Sequence, residues 1–334
     1  MKKRIFAVIT LLAMMLFAGC KQSEPVNDPA KIPANTPKID LTSTSAENSF
    51  EVNPPFFKVT DESTGAVVYM LGSMHVGKLE ATYPQTLCDA LDECDTLAVE
   101  VDIQALEANL MEAAEAMRLM LCPDGKTVKD YMGSDYDKIV QKFTDKGLYS
   151  PLYEQYIPAL WSSLWSNQMA AESGYDANYG TDTLLLSYAK ERGKKIDEIE
   201  TAKEQYQVEA NISPELQMLT LNQTLELSKD EIQAQFDLLY NAWRNADMKT
   251  LEALASEEGE DAGLTEEQKA EYEKYYDDMY ANRQKKMAEY VMSKLRSGGK
   301  TFVVVGAMHY AAPPSIRDIL TENGYAIETI SAAE

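Results

Sequence analysis

The sequence has few of the residues around which common hydrolase sites are built. Its 334 residues include only two histidines, and it contains neither a Gly-x-Ser-x-Gly segment nor a His-Glu-x-x-His segment. The first absence excludes the serine nucleophile elbow, and the second excludes the zinc-protease helix. Any hydrolytic site in this chain must therefore be assembled in another way.

Positive charge is scarce as well. The chain has 31 lysines and arginines against 54 aspartates and glutamates, which gives a net charge of −23. A body this acidic repels nucleic acid and anionic lipid headgroups. We therefore predict no nucleic-acid partner and no direct binding of the folded domain to a membrane surface. A peptide or small-molecule substrate is the expected partner.

Cysteines are too few for a disulfide framework. Apart from Cys20 near the N-terminus, the chain contains Cys88, Cys94 and Cys122. This odd count excludes a complete set of bridges, although a Cys88–Cys122 or a Cys94–Cys122 bridge remains open. Cys94 falls on a helical apolar stripe, which predicts a buried thiol.

The first residues are typical of a secretory signal. The basic segment Lys2–Arg4 precedes the apolar run Ile5–Phe17, which only Thr10 interrupts. Small residues then lead to Cys20, and this boundary resembles the lipobox of bacterial lipoproteins. We predict a signal peptide at 1–19 and a lipidated Cys20 as the first residue of the mature chain. An uncleaved membrane anchor is the alternative, although the run is short for a membrane span.

The segment that follows Cys20 is rich in proline, serine, threonine and asparagine and shows no apolar periodicity. It predicts a disordered tether at residues 20–50, and the folded domain is then expected at 51–334. These boundaries place the domain at the cell membrane, on its extracytoplasmic face. The lipid anchor alone would hold it there.

Short apolar segments near both ends of the chain predict one central sheet. Phe56–Thr60 and Ala66–Leu71 flank a turn and predict a β-hairpin, and Thr96–Asp102 alternates like a strand. Two further strands are expected at Thr301–Gly306 and Tyr325–Ile330. An insertion of about 150 residues with helical patterns lies between them. We predict an α/β fold with a mixed central sheet from the N- and C-terminal halves and a large helical insertion.

Two of the predicted helices are long. Ile103–Leu121 is rich in alanine, leucine, methionine and glutamate and is expected to form one helix. Thr265–Arg296 is highly charged, and we predict one long helix that is mostly exposed to solvent.

Both histidines follow an apolar segment in the same frame. Val67–Leu71 leads into Gly-Ser-Met-His75, and Phe302–Val305 leads into Gly-Ala-Met-His309. Strands that are apolar throughout are buried on both faces of a sheet. Ligands of such folds bind beyond the carboxyl ends of the strands. We therefore predict that the two histidines share one site.

A glycine precedes each histidine by three residues. Gly72 and Gly306 would allow a tight turn and leave no Cβ in the way of a close substrate or metal ion. Histidine suits such a position because it transfers protons near neutral pH and binds borderline metals. The alternative for a single histidine is a loop residue without a role, but the shared frame of both favours function.

Carboxylates at strand ends are the expected companions of the two histidines. Glu100 follows an apolar strand, and a buried charge there is costly unless it is paired or coordinated. The alternative is an edge strand from which Glu100 faces water. Asp182 and Glu200 each lie at an element boundary, where Asp182 could instead cap its helix. Arg283 could pair with an inward carboxylate or remain a surface charge.

These residues together resemble the TraB/GumN/Tiki superfamily over Phe56–Ile330. The hallmark of that superfamily is a pair of Gly-x-x-His motifs and a glutamate on a strand after the first, here Glu100. Further similar features are Gly180-x-Asp182 before a helix, Gly193-Lys194, Glu200-Thr201, Trp243 with Asp247, and Asn282-Arg283, where GumN-like chains more often have Arg-Asn.

The resemblance implies an α/β fold, similar to that of Tiki proteins and erythromycin esterases, in which both motifs face one pocket. Animal Tiki proteins are described as metal-dependent proteases that use manganese- or cobalt-type ions. Erythromycin esterases use a histidine as a general base, and TraB-type relatives are linked to shutting down peptide pheromone signals.

The predicted function is therefore that of an extracytoplasmic, lipid-anchored hydrolase, most simply a metal-dependent peptidase. His75, His309 and Glu100 would hold a manganese, cobalt or zinc ion or activate the attacking water. Asp182, Glu200 and Arg283 would orient these groups or the substrate. Two alternatives remain open, a metal-independent esterase or amidase with a histidine base, and a non-catalytic lipoprotein that binds a peptide or small ligand.

Overall fold

A computed structural model describes residues 39–256 and 264–331 of the chain. The strands are β1 Phe50–Glu51, β2 Phe56–Asp61, β3 Ala66–Ser73, β4 Ala81–Thr82, β5 Thr96–Val99, β6 Lys195–Glu198, β7 Lys300–Gly306 and β8 Ile327–Thr329. The helices are α1 Gln85–Asp92, α2 Ile103–Ala108, α3 Leu110–Met117, α4 Val128–Met132, α5 Tyr136–Asp145, α6 Pro158–Glu172, α7 Thr181–Glu191, α8 Ala202–Ala210, α9 Pro214–Glu226, α10 Lys229–Arg244, α11 Met248–Ser256, α12 Glu266–Tyr276, α13 Asn282–Ser297 and α14 Ile316–Glu322.

The centre of the protein is a six-stranded sheet with the order β6-β5-β7-β3-β2-β8. Neighbouring strands from β6 to β3 are parallel, whereas β2 is antiparallel to both β3 and β8. The strands come from both ends of the chain, and helices fill most of the segment between them. The predicted α/β fold with a mixed sheet and a large helical insertion is confirmed.

Strand β7 shows why the sheet is buried on both faces. Phe302 and Val304 pack into the core on the side of the helical insertion, and Val303 and Val305 pack into a second core below α13 and α14. All four side chains are inaccessible to solvent. An uninterrupted apolar strand is typical of a sheet covered on both faces, as the sequence pattern predicted.

The predicted exposed helix over Thr265–Arg296 is wrong in two respects. A π-helical turn, Asp277–Ala281, separates α12 from α13, so the segment is not one regular helix. In addition, Met287, Val291 and Leu295 line one face of α13 and are buried against the sheet. The high overall charge of the segment concealed this apolar stripe, which has ordinary helical spacing.

The predicted single helix over Ile103–Leu121 is also wrong. Asn109 has φ −104° and ψ 81°, and it separates α2 from α3. Its side-chain oxygen accepts a hydrogen bond from the Glu112 N–H, so Asn109 caps the second helix. Asparagine is among the residues preferred at such a cap.

Of the predicted tether at 20–50, only residues 39–50 belong to the described residues. There the chain contacts the domain, because Leu41 is buried in the core and its carbonyl accepts a hydrogen bond from the Tyr83 N–H at 2.7 Å. The signal peptide at 1–19 and Cys20 lie outside the described residues. Among the helices that are described, none is long and apolar enough to cross a membrane.

The three described cysteines are free thiols. Cys88 and Cys94 are buried, which confirms the prediction for Cys94, and Cys122 is partly buried. Burial raises the pKa of each thiol, to about 11 for Cys88 and Cys122 and to about 12 for Cys94. At neutral pH these thiols are protonated and therefore poor nucleophiles.

A buried acid makes the stability of this fold depend on pH. Glu209 on α8 is inaccessible to solvent, and its Oε1 accepts a hydrogen bond from the Tyr275 hydroxyl at 3.0 Å. Burial raises the pKa of Glu209 to about 7, although the Tyr275 hydrogen bond and the charge of Arg283 oppose the shift. The folded protein therefore holds this proton at pH values where the unfolded chain has released it.

We expect the Glu209→Gln variant to be more stable than the parent protein at pH 8 and to lose that advantage at pH 4. A raised carboxyl pKa contributes stability below the unfolded value of 4.5, and this contribution is lost as the pH rises through about 7. The difference should be on the order of 2–3 kcal/mol in the free energy of unfolding, as urea titrations at several pH values would measure. Glu226→Gln changes an exposed acid on α9 and should leave the pH dependence of the unfolding free energy as it is in the parent protein. If Glu209→Gln also keeps the pH dependence of the parent protein, the raised pKa of Glu209 is contradicted.

Candidate functional site

The two histidine motifs meet because their strands are neighbours. Strands β3 and β7 pair in parallel, with Ser73 opposite Gly306, so both chains leave the sheet at the same edge. The His75 Nε2 atom and the His309 Cδ2 atom lie 3.8 and 3.7 Å from the point that a Cβ would occupy on Gly306. The Glu100 Oε1 atom lies 3.4 Å from the same point. The structure therefore places both imidazoles and the glutamate around one point.

Asp182 is the partner of the His75 ring. Its Oδ2 atom lies 2.9 Å from His75 Nδ1, which leaves Nε2 on the side of Gly306. The helix that carries Asp182 is fixed by the His75 loop itself, because the Thr181 N–H donates to the Met74 carbonyl at 2.9 Å. Asp182 therefore orients the ring and is not merely the first-turn acid of its own helix.

Two glycines allow this close approach of the His75 loop to α7. A Cβ on Gly77 would lie 1.9 Å from the Tyr179 carbonyl oxygen, and one on Gly180 would lie 2.3 Å from the His75 carbonyl oxygen. Both are contacts with backbone atoms, which cannot move aside. Gly77 and Gly180 are therefore required where they stand, so that the backbones can touch and bring Asp182 to His75.

The charges of this pair support each other. Burial lowers the pKa of His75, but the charge and hydrogen bond of Asp182, aided by the charge of Glu100, outweigh burial and raise it to about 8. Burial would raise the pKa of Asp182, yet the charge and hydrogen bond of His75 hold it below its ordinary value. At neutral pH the pair is therefore an imidazolium next to a carboxylate.

His309 is in a different electrostatic state. The ring is buried, its Nδ1 has no hydrogen-bond partner among the described residues, and its Nε2 lies 3.7 Å from Glu100 Oε1, which is beyond hydrogen-bonding distance. Burial first, and then the positive charge of Arg283, holds the pKa of His309 well below its usual value. The Tyr280 ring meets the His309 ring edge to face at 5.8 Å. His309 is therefore a neutral imidazole at physiological pH.

Glu100 is buried and fully engaged. Strand β5 ends one residue before it, and the alternative in which Glu100 faces water is excluded by an exposure of 5%. Oε1 accepts the Gly306 N–H at 2.7 Å, and Oε2 accepts from Arg283 at 2.6 Å and from Gln205 at 3.1 Å. These three donors compensate the buried negative charge of Glu100.

Glu200 and Arg283 complete a buried network beside Glu100. The Glu200 N–H donates to the Glu100 carbonyl at 2.9 Å, because β6 and β5 end side by side. Arg283 donates from Nε to both oxygens of Glu200, at 2.9 and 3.0 Å, and from a terminal nitrogen at 2.8 Å. The alternative in which Arg283 is a surface charge is thereby excluded. One guanidinium serves two carboxylates.

The π-helical turn between α12 and α13 directs side chains toward this site. It carries Met279 and Tyr280, and Arg283 follows in the first turn of α13. Such turns occur often at functional sites, because one extra residue changes which side chains face inward. In this protein the π-helical turn lies next to the site formed by the two histidines and Glu100.

A partly open cavity of about 60 Å³ lies at the point where these groups meet. A single water needs roughly 10–15 Å³ of such space, so the cavity has room for about four water-sized groups. It is lined by Ser73, Met74, His75, Glu100, Leu239, Trp243, Met279, Tyr280, Arg283, Gly306, Ala307, Met308 and His309.

The two motif glycines differ in role. Gly306 borders the cavity, whereas Gly72 lies inside β3, and a Cβ there would meet the Ala307 Cα atom at 3.0 Å. The close approach at Gly72 is therefore to the other motif and not to a ligand.

Sequence reasoning missed Gln205, which donates to both Glu100 and Glu200. The sequence signal that could have indicated Gln205 was the helix-capping pattern directly after Glu200. This pattern marks the start of α8 and places Gln205 in the first turn of that helix.

The predicted metal ligands do not form a metal centre in this arrangement. Within the described residues, no group of three or more histidine, cysteine, aspartate or glutamate side chains is arranged to hold a metal ion. Both Glu100 oxygens accept hydrogen bonds, and the Arg283 guanidinium already provides a cation there. A divalent ion would have to displace that guanidinium or bind with fewer protein ligands.

The fold and site define an α/β protein with two histidines and a buried carboxylate network beyond the ends of parallel strands. The chain belongs to the TraB/PrgY/gumN family, whose sequence profile matches residues 55–329. The comparisons found no match among curated proteins or among solved structures.

Proposed function

We propose that the protein is a hydrolase that cleaves an ester or amide bond in this cavity by histidine acid–base catalysis. One observation carries the proposal: the His75 Nε2 atom, the His309 ring and the Glu100 Oε1 atom all lie within 4 Å of one point at Gly306. A general acid and a general base must lie this close to one reacting carbonyl.

The opposite protonation states of the histidines support separate roles. Neutral His309 can accept the proton of an attacking water, and the His75 imidazolium can donate a proton from Nε2. As His309 becomes charged, the Glu100 carboxylate 3.7 Å from its Nε2 stabilises the new cation. Asp182 holds the His75 ring so that Nε2 remains on the side of Gly306.

The reaction then proceeds by direct attack of water. The oxygen of the water bonds to the substrate carbonyl carbon while its proton moves to His309. The bond to the leaving oxygen or nitrogen breaks, and that atom takes the proton from His75. The products are a carboxylic acid and an alcohol or amine, and proton exchange with solvent restores both rings.

A metal-dependent peptidase is the second candidate. Among the described residues of the site, the buried carboxylates of Glu100 and Glu200 and the largely buried carboxylate of Asp182 face two cationic groups, Arg283 and His75. This excess of negative charge favours a further cation in the site. In that case His75 and His309 would be the protein ligands, and a bound divalent ion would supply the charge that activates water.

Chelation distinguishes the two candidates. Mature protein would be dialysed against EDTA and assayed on p-nitrophenyl esters and peptide p-nitroanilides, with and without added manganese, cobalt or zinc. We expect hydrolysis to survive chelation and to be absent in a His75→Ala, His309→Ala double variant. Activity that disappears with EDTA and returns with one metal would establish the second candidate. If the parent protein is no faster than the double variant on every substrate, the protein is not a hydrolase of this kind, and ligand capture becomes the better account.

The Gly306→Ala variant is expected to keep the fold and lose at least tenfold in kcat/KM. Gly306 has φ −50°, which alanine adopts freely, and its Cβ would make only ordinary contacts at 3.4 to 3.8 Å. The added methyl would occupy the point on which the catalytic groups converge. Gly72→Ala is the comparison, because its Cβ would press on the Ala307 backbone and cost stability. Full activity of a folded Gly306→Ala protein would place the reaction elsewhere.

We also propose that the enzyme acts outside the cytoplasm, attached to the membrane through a lipid on Cys20. The basic, apolar and small-residue order of the first twenty residues supports this location. Labelling cells with a radioactive fatty acid should mark the parent protein but not a Cys20→Ser variant. Equal labelling of both proteins would contradict the anchor.

A further inference from the structure

The corner between α2 and α3 leaves apolar side chains in contact with solvent. Leu110 is 80% exposed and Met111 is 77% exposed. Ala114, one turn further along α3, is exposed as well and extends the same face. The structure buries no residue of α2 and only Ala116 of α3. Scattered exposed apolar residues are common, but this contiguous set forms a helix face without a partner among the described residues.

The same part of the chain is strongly acidic. Residues 79–117 include ten aspartates and glutamates and no lysine, arginine or histidine. Three of these acids lie exposed on α2 and α3, namely Glu107, Glu112 and Glu115. The ion pairs between described residues include none of these three glutamates. The exposed apolar face is therefore bordered by negative charge that no described cation pairs with.

The corner between α2 and α3 lies at the same edge of the sheet as the candidate site. Strand β5 leads to Glu100, and α2 starts three residues later at Ile103. The side-chain amide of Gln104 joins α2 to α7, because it donates to the Thr183 carbonyl at 3.3 Å. Thr183 directly follows Asp182, the partner of the His75 ring. A peptide that reacts in the cavity can therefore extend onto α2 and α3.

The charge of this face indicates which partner fits it. A second copy of the chain would bring two acidic faces together, and like charges across an interface repel each other. Anionic lipids and nucleic acids are disfavoured for the same reason. A peptide that carries lysine or arginine beside apolar side chains fits both the exposed apolar residues and the three glutamates. The net charge of −23 also attracts such a peptide from a distance.

We propose that the corner between α2 and α3 is a docking surface for a cationic peptide in which basic and apolar side chains are interspersed. Leu110 and Met111 receive the apolar side chains, and Glu107, Glu112 and Glu115 pair with lysine or arginine. That this peptide is also the substrate rests on the proposed hydrolase function. The docked segment then lies on the order of six residues from the cleaved bond, from the lengths of an extended chain and of α2.

Fluorescence anisotropy with labelled dodecapeptides tests the docking surface. The probes are a peptide of lysine and leucine, a peptide of glutamate and leucine, and a peptide of lysine and serine. We expect the lysine–leucine peptide to bind about tenfold more tightly than the lysine–serine peptide, because only the former buries apolar surface. The glutamate–leucine peptide should not bind, because its charge is repelled. Equal affinity for the lysine–leucine and glutamate–leucine peptides would overturn the proposal.

The double variant Leu110→Ser, Met111→Ser tests the apolar part of the surface. It should weaken binding of the lysine–leucine peptide about tenfold, because the buried apolar contact is lost. Leu238→Ser is the control, since it changes another exposed leucine, on α10. Parent affinity in the double variant would contradict the surface. A parent protein that dimerises in sedimentation velocity, when the double variant does not, would assign the face to a second copy and overturn the proposal.

The double variant Glu107→Gln, Glu115→Gln tests the charged part of the surface. It should weaken binding of the lysine–leucine peptide about three- to tenfold and make the affinity less dependent on salt, as expected for exposed ion pairs. The matched control is Glu226→Gln, Glu322→Gln, which removes the same charge from exposed positions on α9 and α14. If the control weakens binding equally, the peptide is attracted by the acidic protein as a whole and the docking surface is contradicted.

Hydrolysis assays separate failure of the docking surface from failure of the proposed function. A p-nitroanilide that is extended by the lysine–leucine sequence would be compared with a short p-nitrophenyl ester. The Leu110→Ser, Met111→Ser variant should raise the ratio of the KM for the long substrate to that for the short one about tenfold. If neither substrate is hydrolysed but the peptide binds as expected, the hydrolase proposal fails and the docking surface stands. If the short ester is hydrolysed but the variants bind the peptide like the parent protein, the docking surface fails and the hydrolase stands.

Discussion

The His309→Asn variant is expected to lower kcat/KM by about 100- to 10,000-fold, the usual contribution of a general base. Its stability should hardly change. In the part of the chain that the structure describes, Nδ1 of His309 has no hydrogen-bond partner, and Nε2 is too far from Glu100 for a hydrogen bond, so the substitution breaks none there. Steady-state kinetics on the best substrate and urea unfolding of the same preparation measure the two quantities.

His75→Gln provides the comparison for this prediction. It should also lose activity, but it should cost stability as well, because the largely buried Asp182 carboxylate loses its partner. If the two imidazoles act in one step, the double variant should be about as slow as the slower single variant and not the product of both losses. Normal turnover in a folded His309→Asn protein would remove His309 from the mechanism.

The Arg283→Met variant is expected to lose about 3–5 kcal/mol of unfolding free energy, the largest stability effect of any single change considered in this protein. Arg283 neutralises two buried carboxylates, Glu100 and Glu200, which methionine would leave without their cation. Urea titration at pH 7 measures the loss.

Two further variants test the origin of that loss. Lys286→Met removes a cation from the same helix, but its partner Glu204 is exposed, so the loss should stay below about 1 kcal/mol. Adding Glu200→Gln to Arg283→Met should restore part of the stability, because one of the stranded charges is then removed. A loss in Arg283→Met no larger than that in Lys286→Met would show that the buried network contributes little.

Much of the fold could be predicted from local patterns. The apolar run of β7 indicated a strand buried on both faces, and the hairpin of β2 and β3 followed from two apolar segments around a turn. These predictions succeeded because the apolar pattern of a strand indicates directly which of its faces are buried. The predictions for Ile103–Leu121 and Thr265–Arg296 failed in detail, since a cap at Asn109 and a π-helical turn interrupt otherwise helical compositions.

The site was predictable only in part for a similar reason. The common frame of His75 and His309 pointed to one site, because neighbouring parallel strands deliver their loops to one edge. Gln205 carried no comparable signal of its own, and its role appears only when α8 folds back onto Glu100 and Glu200. The three hydrogen-bond donors to Glu100, which the sequence predicted as a metal ligand, likewise come from distant parts of the chain.

The sequence by itself determined the α/β class, the family and the pairing of the two histidine motifs, because periodicity and short motifs are local properties of the chain. Only the tertiary structure decided the electrostatics of the site. Asp182 is 107 positions from His75, and Arg283 is 183 positions from Glu100. The protonation state of each histidine depends on these distant neighbours and on burial, which no local pattern records.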